Sequence, residues 1–336
     1  MQQVNQQGTT RRTMLRAGAA AGTATALGAV GLLSAGRAGA ATATAAGGNL
    51  PYPPGVTDAS HAAPAVAEVF RGVFTAKSEH NLAAFMSYFS TANAVYIDAC
   101  LGVALSGWQA ISTEFTGLFA SAPASAVSYP LRIVGGTRSA VVELVDTPGF
   151  FGQELRSLSS VTFDGQGKIT RWVDYWDGRS SLWPNTIPSA YPGFSDAEQN
   201  ADPAVVQAAA ELQAAFGAGD AAAAAALLSA DVVCEDMAAH TRVEGQIQAR
   251  RYYARALGQL PYGPGAALAH VEGSAQGGGY EWSAAPAAAP MRRGHTALEL
   301  NPAGQISRVT AMYDSSLLSY PAYQSLVGLA AEAPLS

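Results

Sequence analysis

The sequence predicts two successive α+β units, each with helices first and a sheet after them, and three observations carry that expectation. The first is an internal repeat: Asp98 is followed nine residues later by Gly107, and Asp236 nine residues later by Gly245, an offset of 138. Glu143 and Glu281 keep that offset, while Gly167-Lys168-Ile169-Thr170-Arg171 answers Gly304-Gln305-Ile306-Ser307-Arg308 and Asp177 answers Asp314 at 137. A one-residue slip is what duplication followed by a loop deletion leaves. The second is a change of apolar period in each half, from helical spacing to strand alternation. The third is a proline-rich, aperiodic interval, Trp183 to Pro203, between the halves, which reads as a linker.

Taken in order, residues 1–40 begin with a basic stretch containing Arg11-Arg12, continue through an Ala/Gly-rich apolar run and end in Ala38-Gly39-Ala40. That pattern predicts a removable twin-arginine signal peptide and a secreted, extracellular or periplasmic protein. Residues 41–61 hold Pro51, Pro53 and Pro54 and read as a flexible mature N-terminus. The first unit, 62–182, opens with helix patterns at Val66, Val69, Phe70, Val73, Phe74 and at Leu82, Phe85, Met86, Phe89, with a loop at 76–80 between them. After Gly107, Ile111, Phe115, Leu118 and Phe119 repeat at helical spacing, as Ile247, Ala249, Tyr253 and Leu257 do after Gly245. Strand-like runs cover 94–100, 131–134, 139–146, 155–163 and 168–177, the last two joined by a glycine-bearing turn at 164–167. The second unit, 204–322, repeats the plan, with helices over 205–216 and 220–228 and a turn at 301–304; residues 323–336 are read as a tail.

The net charge is −6, and without the four arginines of residues 1–40 the chain carries 15 basic against 25 acidic residues, a net charge near −10. Such a surface repels nucleic acid and anionic membranes. No apolar run after the signal reaches the roughly 18 residues of a spanning helix, so no membrane partner is expected once the signal is removed. Cys100 and Cys234 stand at non-equivalent places in the repeat; a disulfide is permitted outside the cytoplasm, and two buried thiols are the other reading. Motifs for serine hydrolases, phosphate loops and dinucleotide binding are missing from the sequence.

The order of elements, with the ending Gly167-Lys168-Ile169-Thr170-Arg171-Trp172-Val173-Asp174-Tyr175-Trp176-Asp177, resembles the NTF2-like (SnoaL-like) superfamily in both halves. That resemblance implies a cystatin-like α+β roll: N-terminal helices packed on a curved antiparallel sheet around a deep pocket, used by polyketide cyclases, ketosteroid isomerases and epoxide hydrolases. The first half is most similar to limonene-1,2-epoxide hydrolase. Its stretches Tyr96-Ile97-Asp98, Glu143-Leu144-Val145-Asp146 and Trp172-Val173-Asp174-Tyr175-Trp176-Asp177 fall on that family's motifs. The resemblance puts Tyr96, Asp146 and Asp174 on functional positions, with Asp98 in place of an Asn and Leu144 in place of the Arg that bridges the two acids. Asp98 and Asp236 also stand where ketosteroid isomerases carry a general base, but the isomerase's oxyanion donors fall on Phe70 and Ser159 in one half and on Leu212 and Thr296 in the other, which argues against steroid isomerisation.

Strand alternation places Tyr96, Asp98 and Cys100 on one face, and Trp172, Asp174 and Trp176 on one face of the last strand. The candidate catalytic residues are therefore Asp98, Asp146, Asp174 and Tyr96, with Trp172, Trp176, Asp236 and His240 as candidate substrate contacts. Acids in an apolar cleft point to proton transfer on a small apolar molecule without a cofactor or metal; a non-catalytic binding or structural module is the other reading. Glu235, Asp236 and His240 do not suggest a metal site, because neighbouring strand residues point to opposite faces. Glu143, Glu281, Asp177 and Asp314 are read as structural, and His61, His80 and His270 as surface or satisfied residues. In the second half Cys234, Ala284 and Ala311 replace Tyr96, Asp146 and Asp174. Chemistry is thus expected in the first half, with the two halves pairing as an intrachain pseudo-dimer.

Overall fold

The computed structural model describes residues 50–179, 201–284, 288 and 290–331. The expected signal peptide and nearly all of the expected linker lie outside the described residues. The chain is an α+β protein with two curved sheets, each carrying its own helices.

The first half contains β1 (Asp58–Ala62), α1 (Pro64–Ser78), α2 (Leu82–Met86), β2 (Val95–Asp98), β3 (Val103–Ser106), α3 (Trp108–Ser121), β4 (Ser128–Gly135), β5 (Ser139–Asp146), the single turn α4 (Pro148–Phe151), β6 (Leu155–Phe163) and β7 (Ile169–Trp176). The second contains α5 (Pro203–Gly217), α6 (Ala221–Ala226), β8 (Leu228–Asp236), β9 (Thr241–Glu244), α7 (Gln246–Ala256), β10 (Ala267–Ser274), β11 (Gly277–Ser283), β12 (Arg293–Leu300), β13 (Ile306–Tyr313) and α8 (Tyr320–Gly328). The sheet orders are β1-β4-β5-β6-β7-β2-β3 and β10-β11-β12-β13-β8-β9. Register shifts in the β4–β5, β6–β7 and β12–β13 pairs introduce the bends that let a sheet wrap around its helices.

The repeat survives in the backbone. Gly107 and Gly245 open α3 and α7 with φ of 91° and 85°, a region open to glycine and costly for a side chain. Each of these glycines donates its N–H at 2.7 Å to the repeat-equivalent carbonyl, Ala94 or Val232. Asp98 pairs with Asp174 in register, and Asp236 with Ala311. Both of these pairings are parallel, so the sheets are mixed rather than purely antiparallel as expected.

Four further expectations are corrected. The described part of 41–61 is not loose: β1 pairs in parallel with β4, and Tyr52 is buried against Tyr129. The loop expected at 76–80 is largely the last turn of α1, which contains no residue that breaks a helix. The tail expected from 323 is helical to Gly328 and buries Leu326. Ile247 is 68% exposed, because the repeat counterpart of Ile111 is Ala249, and it is Ala249 that packs inward.

One apolar cluster joins Phe70, Phe74, Phe115, Trp172 and Trp176 between the first sheet and its helices. Alternate residues of the same strands, Ile97, Val173 and Tyr175, point the other way into a cluster shared with the second half. The sheets therefore pack face to face. Close approach is possible because a Cβ on Gly279 would lie 2.9 Å from Val141. Ion pairs cross the seam from Arg132 to Glu299 at 2.7 Å and from Arg171 to Glu281, and Arg156, paired with Glu143, also reaches Glu235 at 3.5 Å. No helix among the described residues is long and apolar enough to cross a membrane.

Candidate functional site

The parallel pairing of β2 with β7 sets Tyr96 beside Trp172 and Asp98 beside Asp174, with all four side chains on the helix-facing side of the sheet. Asp98, Asp146 and Asp174 are 0%, 1% and 4% exposed. Burial at that depth requires partners, and each acid has a different set.

Asp174 takes three side-chain donors. Ser159 Oγ and Trp172 Nε1 each donate to Oδ1 at 2.6 Å, and the Tyr96 hydroxyl donates to Oδ2. Aromatic rings wall this cluster: Trp172 lies 5.9 Å from Phe70 and 6.2 Å from Phe74, and Tyr96 meets Phe115 edge-on at 5.4 Å.

Asp98 accepts from Trp176 Nε1 at 3.0 and 3.1 Å and from the N–H groups of Cys100 and Leu101 at 3.1 and 2.9 Å. Asp236 repeats this pattern. It accepts from the Ala239 N–H at 2.8 Å and from Tyr313 at 3.1 Å, residues that stand at the repeat positions of Leu101 and Trp176. Tyr262 adds a further bond at 3.1 Å. Burial pushes the Asp236 carboxyl up to about 6, against the pull of these donors.

Asp146 forms a buried ion pair with Lys77 at 2.6 Å. The Lys77 ammonium also lies 5.4 Å above the Phe150 ring. Ser78, the next residue, ties α1 to β4 by donating to the Ser128 carbonyl at 2.7 Å and accepting its N–H at 2.9 Å. Lys77 was missed because its segment reads as loop; the available signal is that only two lysines, Lys77 and Lys168, occur in the chain. Tyr262 was missed as a partner because it comes from a segment outside any periodic element, whereas Ser159 was findable as the residue opposite Asp174 across the β6–β7 pair.

The histidines differ in their surroundings. His80 adopts φ of 54° and stacks on Phe119 at 5.8 Å, with its Nε2 buried and without a hydrogen-bond partner among the described residues. His61 faces Glu299 at 3.7 Å, and His270 is buried near Glu272 at 3.8 Å. His240 does not join Asp236: its side chain is exposed, while Asp236 is buried among tyrosines. Glu235 points to the opposite face, where it pairs with Arg308 at 3.1 Å. Cys100 and Cys234 are free and buried in separate clusters.

Cavities lined by the described residues include ones of about 740, 270 and 260 Å³. Of the candidate residues, only His240 lines one of them, the 270 Å³ cavity at the seam between the halves.

No protein-family model and no curated protein matches the chain. Among solved structures, it is similar to a protein of unknown function with a cystatin-like fold from Methylobium petroleophilum PM1, at 18% identity over 36% of this chain and 78% of that one, with a TM-score of 0.29. It is also similar to a candidate SnoaL-like polyketide cyclase from Shewanella denitrificans, at 16% identity over 34% of this chain and 92% of that one, TM-score 0.29. A third is a Mycobacterium tuberculosis protein in complex with estradiol-17beta-hemisuccinate, at 15% identity over 33% of this chain and 92% of that one, TM-score 0.28.

Proposed function

We propose that this chain is an exported, SnoaL-like acid/base enzyme that needs no cofactor, acting on a small apolar metabolite with its chemistry in residues 62–182. The observation that carries the proposal is the Asp174 cluster, where Tyr96, Ser159 and Trp172 hold one carboxylate inside an aromatic wall. A carboxylate held in this way is placed to accept a proton from a water or from an acidic substrate. Asp174 is the base in this scheme, removing that proton while Tyr96 keeps the carboxylate aligned.

The Lys77–Asp146 pair is the second group. Phe70, Phe74 and Lys77 lie at helical spacing on the buried face of α1, so the ammonium sits about one turn beyond the rings over Trp172. A buried cation there stabilises oxyanion charge as an epoxide opens or an enolate forms. It occupies the role that an arginine at Leu144 would have filled in the epoxide-hydrolase pattern. Asp98 is assigned to the architecture, because its bonds recur at Asp236 in a half that has Ala311 where the first has Asp174.

The boundaries proposed for the mature protein follow the repeat: removal of 1–40, units at 62–182 and 204–322, and a linker between them. The two units pair as an intrachain counterpart of a dimer, a reading supported by the ion pairs from Arg132 and Arg171 across the seam. A panel of epoxides and enolisable ketones incubated with the mature protein tests the function, alongside native mass spectrometry of protein from its host. Turnover of a panel member supports the enzyme. Ligand binding without turnover that survives loss of all three first-half acids identifies a binding module instead.

A further inference from the structure

Outside the Asp174 cluster, the 270 Å³ cavity at the seam combines groups from both halves. Glu154, Arg156 and Asp177 come from the first, and Met237, His240 and Met312 from the second. Asp177 closes β7 and is the repeat counterpart of Asp314. Its Oδ1 accepts the N–H groups of Ser315 at 2.8 Å and Arg179 at 3.2 Å, while Oδ2 is buried with no hydrogen-bond partner among the described residues. An acceptor shielded from water and left without a donor is a costly arrangement.

The charge balance says what would relieve it. Arg156, the guanidinium lining the cavity, is drawn to Glu143 and Glu235, and Asp314 adds a second carboxylate beside Asp177. Burial and then the Asp314 charge push the Asp177 carboxyl up to about 7, the behaviour of an acid that lacks a counter-ion. Met237 and Met312 supply polarizable apolar wall. The volume falls just below the roughly 300–1,000 Å³ of drug-sized pockets, so the occupant is small.

Asymmetry between the halves points the same way. His240 keeps the left-handed backbone of its repeat counterpart Gly102, with φ of 51° against 66°, a conformation that is unfavourable for a bulky side chain. Met312 stands where the first half has Tyr175, and Tyr175 fills its own side of the seam by stacking on His295 at 5.6 Å. Two identical chains would have made both sides alike; the duplicated chain has one side filled and one side open, with an imidazole at its edge.

We propose that the seam cavity binds a small organic ammonium, its charge held by the Asp177 carboxylate at the cavity wall and its short apolar body against Met237 and Met312. The site is separate from the Asp174 cluster and stands whether or not that cluster is catalytic. The test titrates the full mature protein with butylammonium, 1-butanol and butyrate while following methionine methyl signals by NMR. Saturable shifts of Met237 and Met312 with butylammonium, weaker by at least about tenfold in Asp177→Asn, are expected. His240→Gly, which restores the residue found at the repeat position, keeps the fold and is expected to weaken binding. Equal binding of 1-butanol, undiminished affinity in Asp177→Asn, or no saturable shift with any probe would overturn the proposal.

Discussion

Tyr96 donates its hydroxyl hydrogen to Asp174, a residue 78 positions later in the chain. The bond exists because β2, early in the first half, lies in parallel beside β7, the last strand of that half. Tyr96→Phe removes one of the donors to the buried Asp174 carboxylate. We expect a loss of about 1–3 kcal/mol in urea unfolding, with lower turnover of any panel substrate.

Lys77 and Asp146 form a buried pair, so either single substitution strands a charge. Lys77→Met is expected to cost about 3–5 kcal/mol, whereas the double variant Lys77→Met/Asp146→Leu recovers most of that loss. Equilibrium denaturation of the two variants side by side measures this difference. Equal losses in both would show that the charge pairing is not what the second substitution repairs.

Asp236 gives the fold a pH dependence. Its folded carboxyl is raised by burial to about 6 from an ordinary value of 3.8. Below pH 4 the group is protonated in both states and costs nothing. As pH rises from about 4 to 6, the unfolded chain releases the proton first, so stability falls through that window and levels off above it. The drop is on the order of 3 kcal/mol, and Asp236→Asn should flatten that part of a stability-against-pH curve.

The recurrence of Trp176 with Asp98 and of Tyr313 with Asp236 predicts equivalent roles for the two aromatic donors. Trp176→Phe and Tyr313→Phe are each expected to lower stability by about 1–3 kcal/mol. Thermal melts of both variants check this. A loss confined to one half would mean that the two aspartates are not equivalent.

Much of this fold was legible locally. β5 and β6 fall on the residues whose alternation marks them, and Gly107 and Gly245 open equivalent helices. What failed depends on distant partners. β1 is a strand only because β4 offers it an edge; its own proline-rich surroundings argue for a loose segment. Lys77 continues α1 and is neutralised by an acid 69 residues away. Tyr262 reaches Asp236 from the segment after α7, where no periodicity announces it. His240 was grouped with Asp236 by proximity in sequence, but its own backbone is left-handed, with φ of 51°, and its side chain is exposed.

The account's central claim is that Asp174 is the base. Its most direct test is the turnover of Asp174→Asn, measured on the first substrate that the epoxide and ketone panel yields, with circular dichroism of the same sample. The account predicts a fall of about 10²–10⁴-fold in kcat with a native spectrum. Wild-type turnover in that variant would contradict it.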